Sequence, residues 1–174
     1  MSCRIGVTTL CLFLSLNSFW VVAQEEPEIL PDTIEKAFKN PGIQKMVVLS
    51  TKINPFYLRG DFDADGTMDY AVAVKGVISG KMRVLICAGN HKLFLLGSEG
   101  NEPIFSDMPA DNFFGTSWMV FSKGELKELS QWDLNVPNPF PKIVGEAIAM
   151  IWEDGISLIY WNGSKFAWAG SKQD

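Results

Sequence analysis

The chain has 174 residues, with 15 Lys and Arg against 20 Asp and Glu, a formal net charge of −5 and one His. No run of basic residues occurs, and nucleic-acid binding needs a clustered positive patch, so nucleic acid is not an expected partner. The single His excludes zinc sites built on paired histidines.

The first 23 residues read as a secretory signal. Arg4 supplies the positive start, Ile5 to Val22 is largely apolar, and Val21-Val22-Ala23 is a small-residue cleavage site that leaves Gln24 as the new N-terminus. Ser15, Asn17 and Ser18 interrupt the apolar stretch and argue against a retained membrane anchor. The expectation is a secreted or periplasmic protein of a bacterial envelope, with no stable membrane insertion once the signal is removed. Cys11 follows Leu10, where a lipidation signal needs a small residue. Cys3 and Cys11 leave with the signal, so Cys87 remains alone and no intramolecular disulfide can form. Such a chain must be held by its core.

Residues 24–31 are acidic, polar and Pro-containing, and predict a loose leader before a single β-rich domain over 32–174. Asp32 and Glu35 form a capping pair at the start of a helix that places Ile34, Ala37 and Phe38 on one face. Asn40-Pro41-Gly42 ends it. Residues 44–52 fit either a strand through Val47, Val48 and Leu49 or a continuation of helix after a kink. Asn54-Pro55 marks a turn.

Residues 60–72 then read Gly-Asp-Phe-Asp-Ala-Asp-Gly-Thr-Met-Asp-Tyr-Ala-Val. Four carboxylates within nine residues repel one another unless the backbone curls around a cation. A hard divalent ion takes six to eight oxygens, and Ca²⁺ tolerates irregular geometry. The spacing makes Asp61, Asp63 and Asp65 the first carboxylate ligands, gives the backbone carbonyl of Thr67 a place, and lets Asp69 ligate directly or through water. Gly66 supplies the sharp turn. An EF-hand needs a bidentate Glu at the twelfth position and a helix after the loop. Here the twelfth residue is Val72, and Met68 to Val74 is a β-rich run. Low Ca²⁺ affinity is expected from a site without that bidentate closure.

Gly60-Asp61-Phe62-Asp63-Ala64-Asp65-Gly66-Thr67-Met68-Asp69, followed by the small and aliphatic strand Tyr70 to Val74, resembles the calcium loop of FG-GAP and VCBS-type repeats. The resemblance covers about residues 60–74, in one copy. It implies Ca²⁺ binding in a β-sheet context outside the cytoplasm, and it does not imply catalysis.

From Met68 onward the pattern predicts antiparallel β structure. Arg83 to Ala88 and His91 to Leu96 flank Gly89-Asn90, and Trp118 to Ser122 and Glu125 to Leu129 flank Lys123-Gly124. Ala147 to Trp152, Ile156 to Trp161 and Lys165 to Trp168 form a meander through Asp154-Gly155 and Asn162-Gly163, pairs that two-residue hairpins favour. Tight turns pair Ile159 with Phe166 and Met150 with Ile159. One face then holds Ile148, Met150, Trp152, Ile159, Trp161, Phe166 and Trp168 as core, and the other holds Ala147, Ala149, Ile151, Leu158, Tyr160 and Ala167. The N-terminal helix is the element available to cover that second face. The fold class is α+β, an antiparallel sheet with one N-terminal helix packed on it.

Other chemistry is sparse. Trp118, Trp132, Trp152, Trp161 and Trp168 could stack on sugar rings or pack the core. Glu146, Glu153 and Asp111 could serve as a glycosidase pair but do not differ from surface acids. No Gly-x-Ser-x-Gly elbow accompanies His91, no glycine-rich phosphate loop occurs, and Cys87 reads as a buried inert thiol. Three functional readings follow. The first is a non-catalytic Ca²⁺-binding module with a protein or glycan partner, the second a carbohydrate-binding or carbohydrate-cleaving protein, and the third a metal-free structural envelope protein.

Overall fold

The structure is a computed structural model that describes residues 30–97, 117–122, 142–151 and 155–170. Among the described residues, two short helices, α1 (Asp32–Phe38) and α2 (Pro41–Met46), precede nine strands. These are β1 (Val47–Leu49), β2 (Tyr57–Gly60), β3 (Asp69–Gly76), β4 (Met82–Cys87), β5 (Leu93–Leu96), β6 (Ser117–Phe121), β7 (Val144–Ile151), β8 (Ile156–Trp161) and β9 (Phe166–Gly170). The predicted class holds: mainly antiparallel β structure with N-terminal helix. The signal, residues 1–23, and residues 24–29 of the leader lie outside the described residues, as do Trp132, Trp152, Glu153, Asp111 and the segment 125–129.

Two all-antiparallel sheets form. In sheet A, β1 and β2 both pair with β3, which pairs with β4, which pairs with β5. β1 and β2 are two halves of one edge. Leu49 lies opposite Val74, Tyr57 lies opposite Val72, and Ser50 and Phe56 share the two backbone hydrogen bonds of Ala73 between them. The residues between leave the edge pairing, and Ile53 among them packs in the inter-sheet core. Sheet B is a meander in the order β6-β7-β8-β9.

The sheets pack face to face. Ala71, Ala73, Val84, Ile86, Leu58 and Phe62 from the sheet A side meet Trp118, Ile148, Met150, Ile159 and Phe166 of sheet B in one core. The alternate residues Val72, Val74, Leu85 and Cys87 face the other way, onto Ile34, Ala37 and Ile43 of the helices. β3 is therefore apolar on both faces, as a central strand covered twice must be.

The helices depart from expectation in three ways. Pro31, not Asp32, occupies the N-cap, its carbonyl accepting from the N–H groups of Ile34 and Glu35, and no side chain caps the helix. Asn40-Pro41 both ends α1 and starts α2: the Asn40 side chain accepts from Gly42 and Ile43 N–H, and Pro41 takes the first helical position. Residues 44–49 are thus helix and then strand. Finally, the helices cover sheet A and not the C-terminal meander. The small face of that meander, Ala147, Ala149, Ile156 and Leu158, forms a separate buried cluster with Phe121, Ile143 and Tyr160.

In the meander the face assignment holds and the register shifts by two. Trp161 pairs with Phe166, Ile159 with Trp168 and Ile148 with Ile159. The β8–β9 turn spans four residues, 162–165. In the β8–β9 turn, Asn162 Oδ1 accepts from the N–H groups of Ser164 and Lys165 and from the Ser164 hydroxyl, so Asn162 opens the turn instead of lying at its centre. A shift of two preserves strand parity, so Trp161 and Trp168 still pack on the inter-sheet core.

Candidate metal centre

The Asp-rich loop connects β2 to β3 and lies at the end of both sheets. Phe62, 1% exposed, points into the inter-sheet core between Asp61 and Asp63, and this anchor fixes the direction of its two neighbours. Ala64 at φ 60° and Gly66 at φ 83° both adopt left-handed backbone, which curls the chain back on itself. Asp61, Asp63 and Asp65 each offer one carboxylate oxygen, and the three oxygens lie within 4.8 Å of one another. These three residues could hold a metal ion. An all-oxygen donor set suits a hard cation.

Local hydrogen bonds hold the three carboxylates in place. Asp61 Oδ2 accepts from Gly66 N–H at 3.2 Å, and Asp63 Oδ1 accepts from Asp65 N–H at 3.2 Å. Asp65 Oδ1 accepts from both the backbone N–H and the hydroxyl of Thr67. The Thr67 hydroxyl bond, above all, holds the exposed Asp65 carboxyl below its ordinary value. Asp61 Oδ1 is buried and has no hydrogen-bond partner among the described residues. A buried carboxylate oxygen without a donor is costly, and a bound cation would satisfy it.

Asp69 plays a different part from the other three. It is fully buried at the first position of β3. Its Oδ2 accepts from the N–H groups of Phe62 (2.8 Å) and Asp63 (3.2 Å), and its Oδ1 from Gly89 N–H (2.9 Å). Burial raises its carboxyl above the ordinary value, opposed by these three bonds. Asp69 closes the loop against the sheet, while Asp61, Asp63 and Asp65 line its outer side.

Two elements distant in sequence complete the site. The turn between β4 and β5 approaches from one side. Asn90 Nδ2 donates to Asp65 Oδ2 (2.6 Å) and Asp63 Oδ2 (3.3 Å). The turn closes through His91, in left-handed backbone at φ 68°. A Cβ at Gly89 would lie 2.5 Å from the Thr67 hydroxyl and 2.9 Å from the Met68 carbonyl, so only glycine permits this approach. From sheet B, an irregularity in β7 between Val144 and Ile148 presents Gly145 and Glu146. Glu146 Oε2 accepts from Asp61 N–H at 2.8 Å and Glu146 N–H donates to the Asp61 carbonyl at 3.0 Å. Gly145 has φ 81°, and a Cβ there would meet that same carbonyl at 2.6 Å. The loop is therefore clamped between the two sheets.

Sequence reasoning missed Asn90, Gly89 and Gly145, and it grouped Glu146 with unremarkable surface acids. The Gly89-Asn90 pair was legible as a turn, but its docking on an acidic loop 20 and more residues away was not. Of the tryptophans, Trp118 is buried with its indole N–H donating to the Pro55 carbonyl, and Trp161 and Trp168 pack on the core. Cys87 is buried and free, as expected. No helix among the described residues is long and apolar enough to cross a membrane. The chain matches no protein-family model, no curated protein and no solved structure.

Proposed function

We propose that the chain is an exported, non-catalytic module that binds Ca²⁺ at low affinity through the 61–69 loop and acts by binding a partner at the cell envelope. The observation that carries the reading is the convergence of one oxygen each from Asp61, Asp63 and Asp65 within 4.8 Å, next to the unpartnered buried Asp61 Oδ1. The Thr67 carbonyl adds to this set, while Asp69, its oxygens accepting three backbone N–H groups, holds the loop in shape from its buried side. The loop's likeness to FG-GAP and VCBS repeats supports Ca²⁺ as the ion, and the signal-like N-terminus supports a secreted or periplasmic address.

The ion's role in this reading is structural. The loop joins the two sheets at one end, and a cation there replaces carboxylate repulsion with a cross-link. Calorimetric titration with Ca²⁺, and luminescence titration with Tb³⁺ as a probe of the same site, test the reading. The expected dissociation constant is about 10⁻⁴ to 10⁻³ M, the range of extracellular modules. Neither heat nor luminescence at millimolar metal, with the chain folded, would remove the ion.

A further inference from the structure

The end of sheet A opposite the acidic loop has the reverse character. Residues 36–98 contain nine Lys and Arg and only four acids, all four in the 61–69 loop. The remainder of the chain holds six basic and sixteen acidic residues. Of the nine cations in 36–98, Lys75, Lys81 and Arg83 on the β3–β4 hairpin and Lys45 just before β1 lie at the end of β3 far from the loop.

At that end the β3–β4 hairpin and the start of β1 expose apolar side chains. Ile78 is 97% exposed, Val77 51%, Val48 49% and Met46 46%. They are neighbours: Val77 N–H donates to the Met46 carbonyl, and Val48 lies opposite Lys75. Lys45 and Lys75 are exposed beside them. Beneath the hairpin Arg83 is 9% exposed, Nη2 donating to Ser79 Oγ. Its Nε is buried without a partner, and no described carboxylate forms an ion pair with it. An apolar tip flanked by two exposed lysines, over a buried guanidinium without a carboxylate partner among the described residues, matches a surface that is anionic outside and apolar beneath.

We infer that the β3–β4 hairpin docks on an anionic phospholipid surface, Val77 and Ile78 entering the acyl boundary while Lys45 and Lys75 meet the headgroup phosphates. This is peripheral adsorption and needs no spanning segment. Apolar burial and charge attraction add in such contacts, and each Lys near an anionic surface contributes roughly a fivefold change in partitioning. The inference stands apart from the cation loop, which lies at the other end of β3.

The test uses the full chain with Cys3 and Cys11 replaced by Ser and Ile78→Cys carrying an environment-sensitive dye, with vesicles of equal phosphatidylglycerol and phosphatidylcholine. Reading the dye at position 78 separates tip insertion from any attachment by the N-terminal segment. The expected result is a blue shift with these vesicles, none with pure phosphatidylcholine, and none for the same dye at Ser164→Cys in the β8–β9 turn. Lys45→Gln and Lys75→Gln should each raise the lipid concentration at half-change about fivefold. A dye at 78 that stays water-exposed on anionic vesicles, whether or not the chain sediments with them, overturns the inference and leaves the patch to a protein partner. An equal shift on uncharged vesicles overturns the part assigned to the lysines.

Discussion

Within the Asp-rich loop, four residues of one type divide into two kinds. Asp69 satisfies three backbone N–H groups at the closed side of the loop, whereas Asp63 faces outward with Asp61 and Asp65. Asp69→Ala should therefore destabilise the fold by roughly 2–4 kcal/mol with chelator present, because buried donors lose their acceptor. Asp63→Ala under the same conditions should change stability by no more than about 0.5 kcal/mol. Denaturant unfolding of the two variants distinguishes these roles. Ala64 sits at φ 60°, a conformation that costs a non-glycine residue about 1–2 kcal/mol. Ala64→Gly should recover part of this, a net gain of about 0.5–1 kcal/mol after glycine's greater unfolded freedom is deducted. Burial, with the Asp69 charge adding to it, pushes the Cys87 thiol up to about 12. At pH 8 the native chain should leave Cys87 unreactive toward a disulfide reagent, and unfolding should expose it. The sign of its pH dependence follows from a folded value above the unfolded one. The stabilising contribution is complete below about 9, and it is lost as pH rises through about 12.

Elements show which parts of the fold a sequence reveals. The apolar alternation in 147–168 identified both faces of the meander, because parity is a local property that burial enforces strongly. Turn length was not legible in the same way. Asn162-Gly163 suits the centre of a two-residue turn, yet the Asn162 side chain takes the opening position and caps Ser164 and Lys165, a choice between two local hydrogen-bonding schemes. The three Asp of the outer cluster were legible from spacing. Glu146 and Asn90 were not, since a β7 irregularity and a β4–β5 turn reach the loop only through sheet packing. That β7 clamp is testable. Gly145→Ala places a methyl 2.6 Å from the Asp61 carbonyl in left-handed backbone. It should cost roughly 2–3 kcal/mol by equilibrium unfolding, from strain and overpacking together. Glu146→Ala removes one charge-assisted acceptor and should cost about 1–2 kcal/mol.

At the scale of the molecule, sheet A is the shared layer, with helices on one face and sheet B on the other. Its two ends differ in charge: the acidic loop clamps the two sheets at one end, and a basic, apolar-tipped hairpin projects at the other. A cation bound at the acidic end would stabilise the whole fold, because the loop touches β4–β5 and β7 as well as its own strands. If only the folded chain binds, about 1 mM Ca²⁺ contributes roughly 0.4–1.4 kcal/mol at the expected affinity. That corresponds to about 1–6 °C in melting temperature for a chain of this size. The direct measurement is a set of four melting curves, wild type and Asp63→Ala, each with 1 mM Ca²⁺ and with chelator. The account predicts a Ca²⁺-dependent rise for the wild type that Asp63→Ala abolishes while keeping its chelator-state melting temperature. Superimposable wild-type curves, with and without Ca²⁺, would contradict it.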